Sequence, residues 1–303
     1  MTNGDGRVPR DVGSGRVRSP WPVASSTMTQ ILIGSAGWSY KDWEGIVYPD
    51  PLPKGFDPLA YLAQFVDCIE INSSFYRPPT PKMTESWARR TPDRFVFTAK
   101  VWERFTHDRE AFTEADVRVF QEGIAPLLAA GKLEALLLQF PWFFQDGPTA
   151  RDRLRRAADA LRGWAPLVVE LRHNSWLRDL DFLHGLELNF CNIDQPKSST
   201  SITGTRIVTG PVAYIRLHGR NAKAWFSKEA DRDRKYDYLY SREELKEWEE
   251  ALKEIEAEKV FLILNNHFQG KGMTNAFMLM RALGKELAPP PDTLRAKYPE
   301  ALP

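Results

Sequence analysis

Cysteine is nearly absent: two in 303 residues, Cys68 and Cys191, with no Cys-x-x-Cys spacing. That excludes a disulfide framework and a thiolate metal cluster, and both thiols fall in expected strands, where a buried reduced cysteine is the ordinary reading. Long apolar runs are also missing; none reaches the ~18–20 residues that cross a bilayer, so no membrane span is expected. Charge of one sign is lacking too, since 41 basic and 40 acidic residues leave a net charge of +1. No bulk attraction toward nucleic acid or an anionic membrane follows, although a local patch stays open. Residues 1–27 are rich in Gly, Arg, Ser and Pro and lack the apolar core of a signal peptide. They read as a disordered N-terminal extension, with Met28 a candidate start, and a cytoplasmic location is the expectation.

What the chain does have is eight short apolar runs, each closing on polar or charged residues: ILIGSAGW (31–38), CIEIN (68–72), FVFTAK (95–100), ALLLQF (135–140), LVVELRH (167–173), NFCNID (189–194), VAYIRLH (212–218) and VFLILNN (260–266). They are short and rich in β-branched or aromatic residues, as strands are. Between several of them lie helical patterns. Asp57 is placed to cap one, apolar residues at intervals of three and four mark another over 113–130, and Ser241 with Glu244 forms a capping box. The expectation is an α/β fold, a single (β/α)8 TIM-type barrel with extended βα loops over 28–288 and a surface tail at 289–303. The stretch 223–237 after the seventh run is long enough to serve as a lid.

In such a barrel, reactive groups cluster at the C-terminal strand ends, and strand parity sorts them. Glu70 and Asn72 share a face, as do Glu170 and Arg172, and Arg216 and His218, while apolar neighbours face the helices. Barrel axes are usually filled with Val, Ile and Leu; charged side chains there cost free energy unless paired or used. Glu170, Glu70 and His218 are the candidate acid–base groups. Lys100, Arg172, Arg216, Asn72, Gln139, Asp194, Asn265 and Asn266 are candidate substrate contacts, as are the aromatic Trp38 and Tyr76. His107 and His184 read as ordinary.

A cofactor is not required by this set. A divalent metal, if bound, would take Glu170, Asp194 and His218, an arrangement resembling metal-dependent sugar isomerases of this fold. Asn265 or Asn266 would then stand where a fourth carboxylate is expected, and Arg172 and Arg216 would repel the ion. Six tryptophans (Trp38, Trp43, Trp102, Trp142, Trp176, Trp225) follow strands and could stack sugars or bases. HGRN after the seventh strand and GKG (270–272) occupy the corner where such barrels bind phosphate.

The segments IGSAGWSYKDWEGIVYP, EINSSFYRPPT, LLLQFPWFF, VELRHNSW, YIRLHGRN with YDYLYS, and FLILNNHFQGKG, in this order, resemble the DUF72 (YecE-like) family. The resemblance implies a TIM-type barrel and leaves the reaction open, because the family has no assigned biochemical role. From the residues themselves we expect an enzyme acting on a small anionic ligand, a phosphorylated or carboxylated sugar or nucleoside, by hydrolysis, isomerisation or lyase chemistry. A nucleic-acid binding or processing protein and a non-catalytic ligand-binding protein are the alternatives. Oligomeric state is left open.

Overall fold

The computed structural model describes residues 29–108, 110–227, 229, 232–285 and 288–303; the expected N-terminal extension lies outside the described residues. All eight runs form strands: β1 Gln30–Ala36, β2 Cys68–Ile71, β3 Val96–Lys100, β4 Leu133–Gln139, β5 Leu167–Glu170, β6 Leu188–Asp194, β7 Val212–Leu217 and β8 Lys259–Leu264. They pair in parallel in sequence order, and β1 closes on β8 with Gln30 opposite Lys259 and Ser35 opposite Leu264. Among the described residues the closed barrel leaves no open sheet edge.

Alternation along each strand divides the core in two. Outward residues such as Ile33, Phe97, Val169, Ile215 and Leu262 pack beneath the helices in the larger apolar cluster. Inward residues including Leu32, Cys68, Ala135, Val168, Cys191, Ile193 and Phe261 fill the axis in a second, smaller cluster. The layer above this plug is polar: Glu70, Glu170, Arg216 and His218 are all buried there.

The expected helix starts form for the expected reasons. Asp57 accepts from the amides of Leu59 and Ala60 and opens Pro58–Leu62. Thr113 with Asp116 opens Glu114–Ala129, and Ser241 with Glu244 opens Arg242–Glu254, each as a complete capping box. One connection breaks the alternation. Between β6 and β7 the chain forms no helix, and the second half of β6 turns the polar Asn192 and Asp194 outward beyond the apolar Leu188 and Phe190. An extended segment covers it, Asn192 bonding to Ile207 and Thr205, and Thr209 to Phe190 and Leu188.

The C-terminal tail is more than a surface strap. It contains the helix Asp292–Lys297, buries Leu294 and Leu302, and bonds through Thr293 to Ile46 and through Tyr298 to Gln269. No helix among the described residues is long and apolar enough to cross a membrane.

Closure between β1 and β2 depends on the missing side chain of Gly34. A Cβ there would lie 1.9 Å from the carbonyl oxygen of Cys68 and 2.7 Å from its Sγ, so the strands would have to part. We expect Gly34→Ala to lower unfolding free energy by about 3 kcal/mol or more, read by chemical denaturation. An unchanged midpoint would contradict the close approach.

Candidate active site at the C-terminal end of the barrel

Arg216, inward on β7 and 1% exposed, is the centre of the site. Its guanidinium donates to Glu70 on β2 at 2.7 Å and to Glu170 on β5, both wholly buried. Weaker contacts run to Gln139 at 3.3 Å and Asn265 at 3.4 Å. The second oxygen of Glu70 accepts from the Tyr214 hydroxyl at 2.9 Å, which in turn takes the Thr98 hydroxyl proton at 2.7 Å. The second oxygen of Glu170 accepts from Arg172 at 2.7–2.8 Å. Burial alone would raise the Glu170 pKa, but Arg216 and then Arg172 outweigh it and hold the carboxyl well below its usual range.

Lys100 ends β3 beside this network and is only half-buried, with its ammonium 4.3 Å from the centre of the Phe75 ring. No carboxylate among the described residues pairs with it. Burial first, then Arg216, pulls its pKa down to about 7 against the opposing pull of Glu70 and Glu170.

His218 is fully buried next to Asn265. Arg216 donates to the Asn265 carbonyl, so the Asn265 amide nitrogen donates to His218 Nδ1 at 2.7 Å, and the ring proton sits on Nε2. Burial, and then Arg216, hold the imidazole neutral. Its Nε2 has no protein partner among the described residues; nor do Arg216 Nε and Asn72 Oδ1, the other buried inward-facing polar atoms left open. Trp225 and Tyr236 stand over the His218 ring at 5.9 and 6.0 Å between centres.

The structure thus brings together Glu70, Asn72, Lys100, Gln139, Glu170, Arg172, Arg216, His218 and Asn265. It does not bring Asp194 or Asn266. Cys191 and Ile193 take the inward places on β6, so Asp194 points out of the barrel. There it accepts from Arg220 at 2.7 Å and from the Trp248 indole at 2.8 Å. Asn266 also faces outward and pins Tyr238 and Asn275. The metal set Glu170, Asp194 and His218 is therefore divided between two faces of the sheet. Among the described residues, no group of three His, Cys, Asp or Glu is gathered to hold an ion.

The expected phosphate corner is neutralised from within. Arg220 is bound by Asp194, Glu244 and Glu247, Lys271 is paired with Asp237, and the Gln269 amide is bound by Asp42 at 2.6 Å. The aromatic rim divides as well. Trp43 and Trp176 are core residues, and Trp38 leans edge-on against Trp87 at 5.3 Å. Tyr76, Trp142, Phe143 and Phe226 are the large exposed rings of the loops that follow β2, β4 and β7.

A family model described as a protein of unknown function, DUF72, matches residues 32–298. The chain belongs to the DUF72 family. It is 27% identical over 275 residues to the UPF0759 protein YunF of Bacillus subtilis (strain 168), covering 84% of this chain and 95% of that one. It is 30% identical over 145 residues to the UPF0759 protein YecE of Escherichia coli (strain K12), covering 47% of this chain and 48% of that one. Among solved structures, a DUF72 protein of Enterococcus faecalis V583 superposes with a TM-score of 0.76 at 26% identity, covering 86% of this chain and 97% of that one. A second, from Thermotoga maritima MSB8, gives 0.72 at 30% identity, covering 84% and 100%.

Two residues at the candidate site of this DUF72 barrel carry no motif in the sequence. Tyr214 lies one inward step below Arg216 and reads as a core aromatic, yet its hydroxyl orients Glu70. His107 follows β3 and packs edge-on against Phe75 at 5.0 Å. Burial and then Lys100 hold its pKa down to about 4. Its place in the loop after Lys100 was the only available signal.

Because the folded protein disfavours the Lys100 ammonium, stability lost to that charge is greatest below about pH 7. It returns as pH rises toward the unfolded lysine value of about 10.4. Lys100→Met should therefore raise the melting temperature at pH 6, with the gain shrinking steadily toward pH ~10. A destabilised variant at pH 6 would contradict the assignment of a strained cation.

Proposed function

We propose that this DUF72 barrel is a cytoplasmic enzyme acting on a small anionic polar substrate, a phosphorylated or carboxylated sugar or nucleoside, bound at the C-terminal mouth. The observation that carries the reading is a charge imbalance. Among the inward-facing side chains, two carboxylates, Glu70 and Glu170, meet three cationic groups, Lys100, Arg172 and Arg216. While Lys100 is protonated, below about pH 7, one negative charge would balance the cluster, and a substrate phosphate or carboxylate would supply it.

Roles follow from which atoms are already engaged. Glu70 and Glu170, first read as proton carriers, have every oxygen bonded to Arg216, Arg172 or Tyr214. They serve to position the guanidiniums. Arg172, 19% exposed at its side chain, is the cation presented to the mouth. Proton transfer falls to Lys100, whose pKa of about 7 suits a general base at neutral pH. Neutral His218 offers an Nε2–H that can polarise a carbonyl or phosphoryl oxygen without carrying charge. Exposed Tyr76 and Trp142 supply flat surfaces for a sugar or base. The free, buried Cys68 and Cys191 fit a reducing compartment.

Calorimetry with a panel of phosphorylated and carboxylated sugars tests this reading. Affinity should fall as pH rises through about 7, as Lys100 loses its proton. Arg172→Ala should weaken binding by about 1.5–3 kcal/mol, roughly 10- to 150-fold. Binding that is independent of pH and of Arg172 would refute the anion site.

A further inference from the structure

We infer that Lys100 is an amine nucleophile that forms a Schiff base with small anionic carbonyl compounds, 2-oxo acids or phosphorylated ketoses. This rests on the anion-binding reading above, names its substrate class, and gives Lys100 the part of nucleophile in place of general base.

A lysine beside two buried carboxylates would ordinarily pair with one of them. Here Arg216 takes one oxygen of each, and Tyr214 and Arg172 take the others. Lys100 is left on the face of Phe75 at the half-buried end of β3, within the electrostatic reach of Arg216 and Arg172. Burial and the neighbouring guanidiniums outweigh the attraction of the ring face for the ammonium and favour the free amine, the form that attacks carbonyl carbon. Lys132 is the internal contrast. It is also buried, but its ammonium donates to Thr91 O at 2.7 Å, Pro92 O at 2.8 Å and Ala88 O at 3.0 Å, which fixes it as a structural cation.

In the step itself, the Nζ lone pair forms the C–N bond and the carbonyl π pair moves to oxygen. Both amine hydrogens pass to that oxygen, which leaves as water as the C=N bond forms. His218 Nε2–H is a donor without a protein partner that can polarise the carbonyl, and Arg172 can hold the attached carboxylate or phosphate.

The test is borohydride trapping of the intact protein with pyruvate, with dihydroxyacetone phosphate and with acetone, followed by peptide mass mapping. Inorganic phosphate and pyruvate binding are measured separately by calorimetry. The expected result is reduced adduct on Lys100 with the two anionic compounds, at least tenfold above any other lysine and above acetone. Its yield should rise through about pH 7 and then level, and Lys100→Arg should lose it. Anion binding without adduct on Lys100 would overturn the nucleophile while leaving the anion site standing. Neither binding nor adduct would overturn both. Labelling spread evenly over the lysines, Lys132 included, would overturn the special status of Lys100. Equal labelling by acetone would overturn the anionic class. Should Lys100→Arg fail to fold, the wild-type peptide map and its pH profile decide alone.

Discussion

Arg216 held between Glu70 and Glu170 at the barrel axis is the interaction on which the rest of the site depends. A guanidinium and two carboxylates taken out of water lose several kcal/mol of hydration each, and their mutual attraction offsets this only when geometry is good and the remaining donors and acceptors are met. Gln139, Asn265, Tyr214 and Arg172 meet most of them, and Arg216 Nε is left without a protein partner among the described residues. An apolar plug of Val, Leu and Ile would serve the fold as well. The network is therefore weak evidence for stability and strong evidence for a constraint of another kind: it fixes charged groups drawn from three separate strands, β2, β5 and β7.

With that centre fixed, the groups around it acquire their properties by position. Burial depresses the pKa of both Lys100 and His218, and Arg216 adds to the shift in each, so one buried cation reinforces two protonation states at once. His218 owes its tautomer to the same residue, through Asn265. The closed sheet supplies the rigidity, and the loops after β2, β4 and β7 supply the exposed rings. A site on rigid strands with variable loops above it is the usual division of labour in this fold.

Much of this was legible because strand periodicity is strict. Once Glu70 and Asn72, Glu170 and Arg172, and Arg216 and His218 are seen two apart on apolar strands, their convergence follows from the barrel. The same rule, applied to Cys191, Asn192, Ile193 and Asp194, shows why Asp194 failed. Over those four residues the apolar side chains point inward and the polar ones outward, and the Trp248 indole and Arg220 meet Asp194 from outside. Arg220 and Lys271 seemed open to phosphate because their partners, Asp194 and Asp237, lie 26 and 34 residues away in sequence. Tryptophans near strand ends could not be sorted into rim and core, since loops fold back: Trp43 is pinned through its indole to His267, and Trp176 to Phe144. Local pattern gives the direction of a side chain on a strand; it carries no information on which distant charge has already neutralised it.

The central claim is that the barrel mouth is a cationic cluster awaiting one anion. Crystals grown with inorganic phosphate test it most directly, by difference density at the C-terminal end of the barrel. The account predicts a phosphate in contact with Arg172 and Lys100, within hydrogen-bonding distance of His218 Nε2. Phosphate bound instead at Arg220 and Lys271, with only water over Arg172, would contradict it.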